Sequence, residues 1–170
     1  MKKYIYAVVF LIVLVSSDLN AQTFKERFYF ETSVASGVKN NGITPIDFSF
    51  KFHVDVIPLA YIFISAEDNI SLFKEGKAKT YINGESLGGG VGVKLLNRTK
   101  GSHALDLRFK SLSSIGGTDF KRTSYDASLA WYMNKLKFSP IVELGYRYLD
   151  SRTNGFDNYG NAYITFGLRY

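Results

Sequence analysis

Hydrophobic and polar residues alternate along most of this chain with a period of two. The cleanest stretch sets Phe48, Phe50, Phe52, Val54 and Val56 against Asp47, Ser49, Lys51, His53 and Asp55. Successive side chains of a strand point to opposite faces, so the stretch predicts a β-strand with one apolar and one polar face. The same rhythm places Phe28, Phe30, Thr32 and Val34 opposite Lys25, Arg27, Tyr29, Glu31 and Ser33. It returns at Leu87–Leu95, where the second face is Gly88, Gly90, Gly92 and Lys94, and at Leu105–Lys110. Further runs follow at Tyr125–Tyr132 and Phe138–Tyr148. In the closing run Ala162, Ile164, Phe166, Leu168 and Tyr170 form one stripe, and Tyr163, Thr165, Gly167 and Arg169 the other. Val56–Ala66 is apolar on both faces, so the rhythm cannot assign them. A turn at Pro58 and a strand from Leu59 to about Glu67 are expected there, because proline is excluded from a central strand, with a buried helix carrying Pro58 in its first turn as the alternative.

Eight segments result, and their connections alternate in length. Ser36–Pro45, Asp68–Lys79, Ser114–Phe120 and Asp150–Asn158 are long and polar. The turns at Pro58, at 97–102 and at 134–137 are shorter. This is the up-and-down pattern of an all-β, eight-stranded antiparallel transmembrane barrel with short periplasmic turns and long outer loops. A soluble barrel would turn its apolar stripe inward, and a membrane barrel would turn it outward. Aromatics near the strand ends (Phe24, Tyr125, Trp131, Phe138, Tyr146, Tyr148, Tyr170) favour the membrane version, as interfacial girdles. Small residues in the polar stripe suit a cramped interior.

The start of the chain adds a compartment. Lys2 and Lys3 precede the nine-residue apolar run Ala7–Val15, and a polar stretch then ends at Ala21. That layout predicts a signal peptide over 1–21 and a barrel domain over 22–170, the apolar run being too short to span a bilayer as a helix. Cysteine is absent, which removes a lipid-anchoring thiol and a disulfide framework. Taking Lys2, Lys3 and Asp18 from 21 basic and 15 acidic residues leaves the mature chain at +5. The excess points to a solvated surface or to contact with phosphates, and an exported protein gives no reason to expect nucleic acid.

The charges on the polar stripe have a pattern of their own. Mirrored about their connections, Glu31 falls opposite Lys51, Lys94 opposite Asp106, and Arg108 opposite Asp126. Exposed to water, each pair would contribute at most about 1 kcal/mol, whereas inside a narrow lumen they would neutralise charges that are costly to leave alone. The expected lumen network comprises these six residues with Arg27, Glu143, Arg147 and Arg169.

The signal-like Met1–Ala21, the alternating strands and the Ala162/Ile164/Phe166/Leu168/Tyr170 stripe together resemble the small eight-stranded outer-membrane barrels of the OmpA/OmpX type from Gram-negative bacteria. The resemblance covers the whole mature chain and lies in pattern rather than exact motif. It implies an outer-membrane location, contact with membrane lipid and lipopolysaccharide, and recognition of the last strand by the barrel-assembly machinery. A monomer is expected.

Chemistry is sparse. Ser49, His53 and Asp55 share a face of one strand, but same-face neighbours stand about 6.6–6.8 Å apart, and a nucleophile must lie within hydrogen-bond reach of its base. His53 is therefore expected to be satisfied in the lumen. His103 has no acidic or sulfur cluster nearby, so no metal is expected. The lipid A deacylases carry a His-x-Ser pair, which is matched by neither His53-Val54-Asp55 nor His103-Ala104-Leu105. Gly88–Gly92 lacks the Gly-Lys-Ser/Thr ending of a phosphate loop and is expected to leave lumen space for large side chains opposite. No cofactor and no catalysis are expected. The reading is a plugged barrel serving envelope integrity or surface interaction through its loops. A narrow, porin-like solute or ion channel and an exported soluble lipocalin-like barrel binding an apolar ligand stay open as alternatives.

Overall fold

Alternation turns into strands because only a pleated chain can present one face to an apolar medium and the other to polar groups. A computed structural model describes residues 27–38, 44–75, 78–96, 103–117, 121–133, 138–153 and 157–170, with side chains omitted at 71–75 and 78–82. The strands are β1 (Phe28–Gly37), β2 (Thr44–Ile57), β3 (Ala60–Glu75), β4 (Ala78–Leu96), β5 (Ala104–Ser114), β6 (Arg122–Tyr132), β7 (Ser139–Ser151) and β8 (Tyr159–Arg169). Each is antiparallel to the next, and β8 returns to β1 to close an up-and-down barrel. The expected signal peptide and Phe24 lie outside the described residues, as do the 97–102 and 134–137 turns.

The closure has a measurable stagger. From Phe28 the pairing runs through Val54, Ile62, Val91, Phe109, Ala127, Tyr146 and Ala162. Ala162 then accepts a hydrogen bond from Val38 N at 2.9 Å. One circuit therefore returns ten residues further along β1. For eight strands at the usual spacing, that stagger corresponds to a tilt of about 40°, which leaves an interior wide enough for side chains only.

The two stripes take opposite sides. Phe48 and Phe50 are 47% and 45% exposed on the outer surface, while Glu31 and Arg108, at 0% and 2%, are buried inside. The soluble lipocalin-like alternative required the reverse, and it is excluded by this orientation. Glycines make the interior possible. A Cβ on Gly92 would lie 2.1 Å from Tyr61 Cζ, and one on Gly145 would lie 2.4 Å from Tyr163 Cζ. Each glycine on one strand thus accommodates a ring from its neighbour.

The hairpin of β3 and β4 departs from expectation. Asp68–Lys79 was expected to be a connecting loop, but β3 runs on to Glu75, paired with Ala78 of β4. The inward run Ser65, Glu67, Asn69 continues the period of two past the expected strand end and remains buried. Polarity there reflects a polar interior rather than a loop.

Gly92→Val should lower stability by about 1–3 kcal/mol, because Tyr61 is held at its hydroxyl and cannot step aside. The midpoint of urea unfolding of the refolded protein measures this.

Candidate functional site in the barrel interior

Two ion-paired clusters fill the lumen. In the first, Arg108 from β5 reaches across to β1 and β7. Its Nη2 donates to Glu31 Oε2 at 2.7 Å, and its Nη1 donates to Glu143 Oε2 at 2.7 Å and Glu31 Oε1 at 3.0 Å. Lys51 Nζ donates to the same two carboxylates, at 2.8 and 3.1 Å. Ser128 Oγ and Tyr163 OH donate to Glu143 Oε1 at 2.7 and 3.2 Å. Arg108 also donates through Nε to Tyr61 OH at 2.9 Å and through Nη2 to Tyr132 OH. Tyr61 OH in turn donates to Asp106 Oδ2 at 2.9 Å.

The second cluster lies nearer the end that bears the β1–β2, β3–β4, β5–β6 and β7–β8 connections. Arg147 makes a bidentate contact with Asp126, at 2.9 Å from Nε to Oδ1 and 2.8 Å from Nη2 to Oδ2. Its Nη1 donates to Asp47 Oδ2 at 2.5 Å and its Nη2 to Glu67 Oε2 at 2.8 Å. Lys110 pairs with Glu67 and, at 3.2 Å, with Asp126. Arg122 Nη2 stands 3.8 Å from Asp47 Oδ1. Tyr163 links the clusters, with its hydroxyl on Glu143 and its ring 5.3 Å from the Arg147 guanidinium carbon.

Charge balances among the ion-paired members of each cluster. Glu31 and Glu143 face Lys51 and Arg108, while Asp47, Glu67 and Asp126 face Lys110, Arg122 and Arg147. Burying an ion costs several kcal/mol unless opposite charges and hydrogen bonds replace its hydration. Here nearly every carboxylate oxygen has a donor, so both clusters can stay ionised out of water.

The residues singled out in the sequence divide as follows. Glu31 and Lys51 are cross-strand partners and form an ion pair at 2.8 Å. Lys94 and Asp106 are also cross-strand partners, yet Lys94 Nζ pairs with Asp55 at 2.5 Å and Asp106 takes Tyr61. Arg108 does not face Asp126. It faces Ser128, while Asp126 faces Lys110. The β5–β6 hairpin is centred one residue later than its composition suggests, and one residue at the centre moves every partner by two. Glu143 and Arg147 join the network. Arg169 contributes as a stacked cation, 3.8 Å from the Tyr29 ring centroid and 4.8 Å from that of Tyr132. Among the described residues Arg27 takes no part in the ion pairs, and its carbonyl accepts from Asp55 N at 2.9 Å.

Asp47, Glu67, Lys110 and Arg122 are the network members that sequence reasoning missed. The inward alternation Lys110, Leu112, Ser114 on β5 and Glu67, Asn69 on β3 was the available signal. The Ser49, His53 and Asp55 trio disperses, with Ser49 Oγ 2.6 Å from Ser33 Oγ, His53 Nε2 3.4 Å from Glu31, and Asp55 on Lys94. Tyr61 and Phe63 flank His53, with ring centroids at 5.2 and 5.1 Å. His103 is exposed at the opposite face, against Trp131. Among the described residues no group of three or more His, Cys, Asp or Glu side chains could hold a metal ion.

No family model matches the chain, and no curated protein matches it in sequence. Among solved structures it is similar to the outer membrane protein Ail of Yersinia pestis in a phospholipid bilayer nanodisc, at 14% identity and a TM-score of 0.49, covering 85% of this chain and 99% of that one. The crystal structure of Ail gives 14% identity and a TM-score of 0.45, with 85% and 97% covered. A de novo designed transmembrane β-barrel gives 14% identity and a TM-score of 0.49, with 85% and 93% covered.

Arg147→Met would strand three buried carboxylates with two cations and should cost about 3–5 kcal/mol. Lys94→Met, at the half-buried mouth, should cost clearly less. Parallel urea titrations of the two variants compare them.

Proposed function

We propose that the protein is an integral outer-membrane barrel bathed in lipid, with a lumen closed by ion pairs, and that it acts without catalysis. It would serve envelope integrity or surface interaction through the loops at the end distal to Arg27 and Tyr170. One observation carries the reading. Every strand exposes at least one large apolar side chain outward, among them Phe30, Phe50, Ile64, Val91, Phe109, Leu129, Leu144 and Phe166, each 41–59% exposed. A continuous apolar surface of this extent exceeds what a soluble monomer tolerates, and it matches the outward apolar band of membrane barrels. Trp131, Phe138 and Tyr170 edge the band on the side of the short turns, and Tyr125, Tyr146 and Tyr148 edge it on the other. In this reading residues 1–21 direct export, β8 presents its outward stripe to the barrel-assembly machinery, and membrane lipid and lipopolysaccharide surround a monomer.

A second reading, a narrow ion path, is favoured by three of the buried polar atoms that make no hydrogen bond among the described residues, all on the loop side. They are Asp47 Oδ1, Asn69 Nδ2 and Asn161 Oδ1. Polar atoms of this kind recruit water, and water on the loop side of the Arg147 cluster is where a path would begin.

Two measurements test these readings. Refolded into phosphatidylcholine vesicles, the protein should migrate differently before and after boiling on a denaturing gel, and a single unshifted band would remove the membrane assignment. In planar bilayers the closed lumen should give no steady conductance. Steady openings that Arg108→Gln abolishes would replace the plugged reading with the channel.

A further inference from the structure

We propose that the outward face where β6 and β7 meet, at the loop-bearing rim, seats the phosphate of an anionic lipid headgroup between Arg152 and Lys121. The inference rests on the membrane reading above and names a partner for one side of the barrel. Arg152 follows β7 and Lys121 precedes β6, and Arg152 N donates to Lys121 O at 2.8 Å. Thr153 Oγ1 fixes this corner, accepting from Lys121 N at 2.8 Å and donating to Lys121 O at 3.2 Å.

The guanidinium is aimed by neutral groups alone. Arg152 Nη2 donates to Ser113 Oγ at 2.8 Å and to Arg122 O at 3.0 Å, so the side chain leans back over β6 toward β5. Among the described residues no carboxylate lies within ion-pair distance of Arg152 or Lys121, although Asp150 is two residues back along β7. The unused nitrogens of the fork match phosphate oxygens in pairs. Below them Tyr125 and Tyr148, cross-strand partners 52% and 42% exposed, form the upper aromatic edge, and such rings mark the headgroup depth of a membrane. Among the described residues this pre-aimed cation has no counter-ion, and it sits where phosphates lie. Elsewhere on the outward surface, Asp68 and Glu85 face each other across β3 and β4, both exposed. That cross-strand pair presents two carboxylates, where the β6–β7 corner presents two cations.

The experiment uses the full chain refolded into phosphatidylcholine vesicles containing a minor fraction of phosphatidic acid. The protein is then extracted and its retained lipid counted by native mass spectrometry. The unsubstituted protein should retain phosphatidic acid above its bulk fraction. That preference should fall about fivefold for each charge removed in Arg152→Gln and Lys121→Gln. Asp150→Asn should raise it, an outcome that misfolding cannot mimic. Equal retention by all variants of a barrel that shows the boiling shift would overturn the seat while leaving the membrane reading intact. Failure of the unsubstituted chain to enter vesicles would overturn both. Displacement of phosphatidic acid by millimolar inorganic phosphate would identify a site for free anions and overturn the lipid assignment.

Discussion

Five of the six buried carboxylates among the described residues meet cations, while Asp106 takes the Tyr61 hydroxyl, and the need to pair those five fixes the rest. Glu31, Glu143, Asp47, Glu67 and Asp126 are all at most 5% exposed. An ion pair of this kind adds little net stability compared with an apolar core of the same volume, but half of one is severely destabilising. The interior is consequently intolerant of error. A one-residue slip between neighbouring strands would carry charges to the outside and apolar rings to the inside, so the charges specify register more than they add stability.

The same constraint explains the distribution of small and large residues. Arginines and tyrosines occupy much of the cross-section, and they fit because glycines stand opposite rings, Gly92 beneath Tyr61 and Gly145 beneath Tyr163. Those rings in turn hold the ions. Tyr61 lies between Arg108 and Asp106, and Tyr163 stands between the two clusters. A missing side chain at one position thus positions a charged group on the same or the neighbouring strand. Near the short turns Ala130, Tyr132 and Ile141 pack together, with the Arg169 guanidinium over the Tyr132 ring.

The strands and the sidedness were legible because period-two alternation is a local property, and Phe48 to Val56 state it without ambiguity. Glu31 opposite Lys51 was legible for the same reason, since a hairpin relates its own strands by reflection. The third strand resisted because its inner face is itself apolar. Tyr61 and Phe63 point into the barrel next to Gly92 and Gly90, so Val56–Ala66 reads as hydrophobic on both sides. Partners that join non-adjacent strands had no sequence signature at all. Arg147 meets Asp47 and Glu67 across the lumen, and Lys51 meets Glu143. Those contacts exist only once the barrel has closed, and reflection about a turn cannot reach them.

The ten-residue stagger has a consequence for how the surface is organised. Following hydrogen bonds from Phe28 through Phe109 to Ala162 climbs the wall like a spiral stair and arrives at Val38, near the top of the strand that began at its foot. Residues bonded to one another are therefore not level, and those that are level belong to different rungs. Depth in the surrounding medium depends on strand number as well as on position along the strand. A polar side chain harmless at the end of one rung would sit near mid-membrane a few strands away along the same rung.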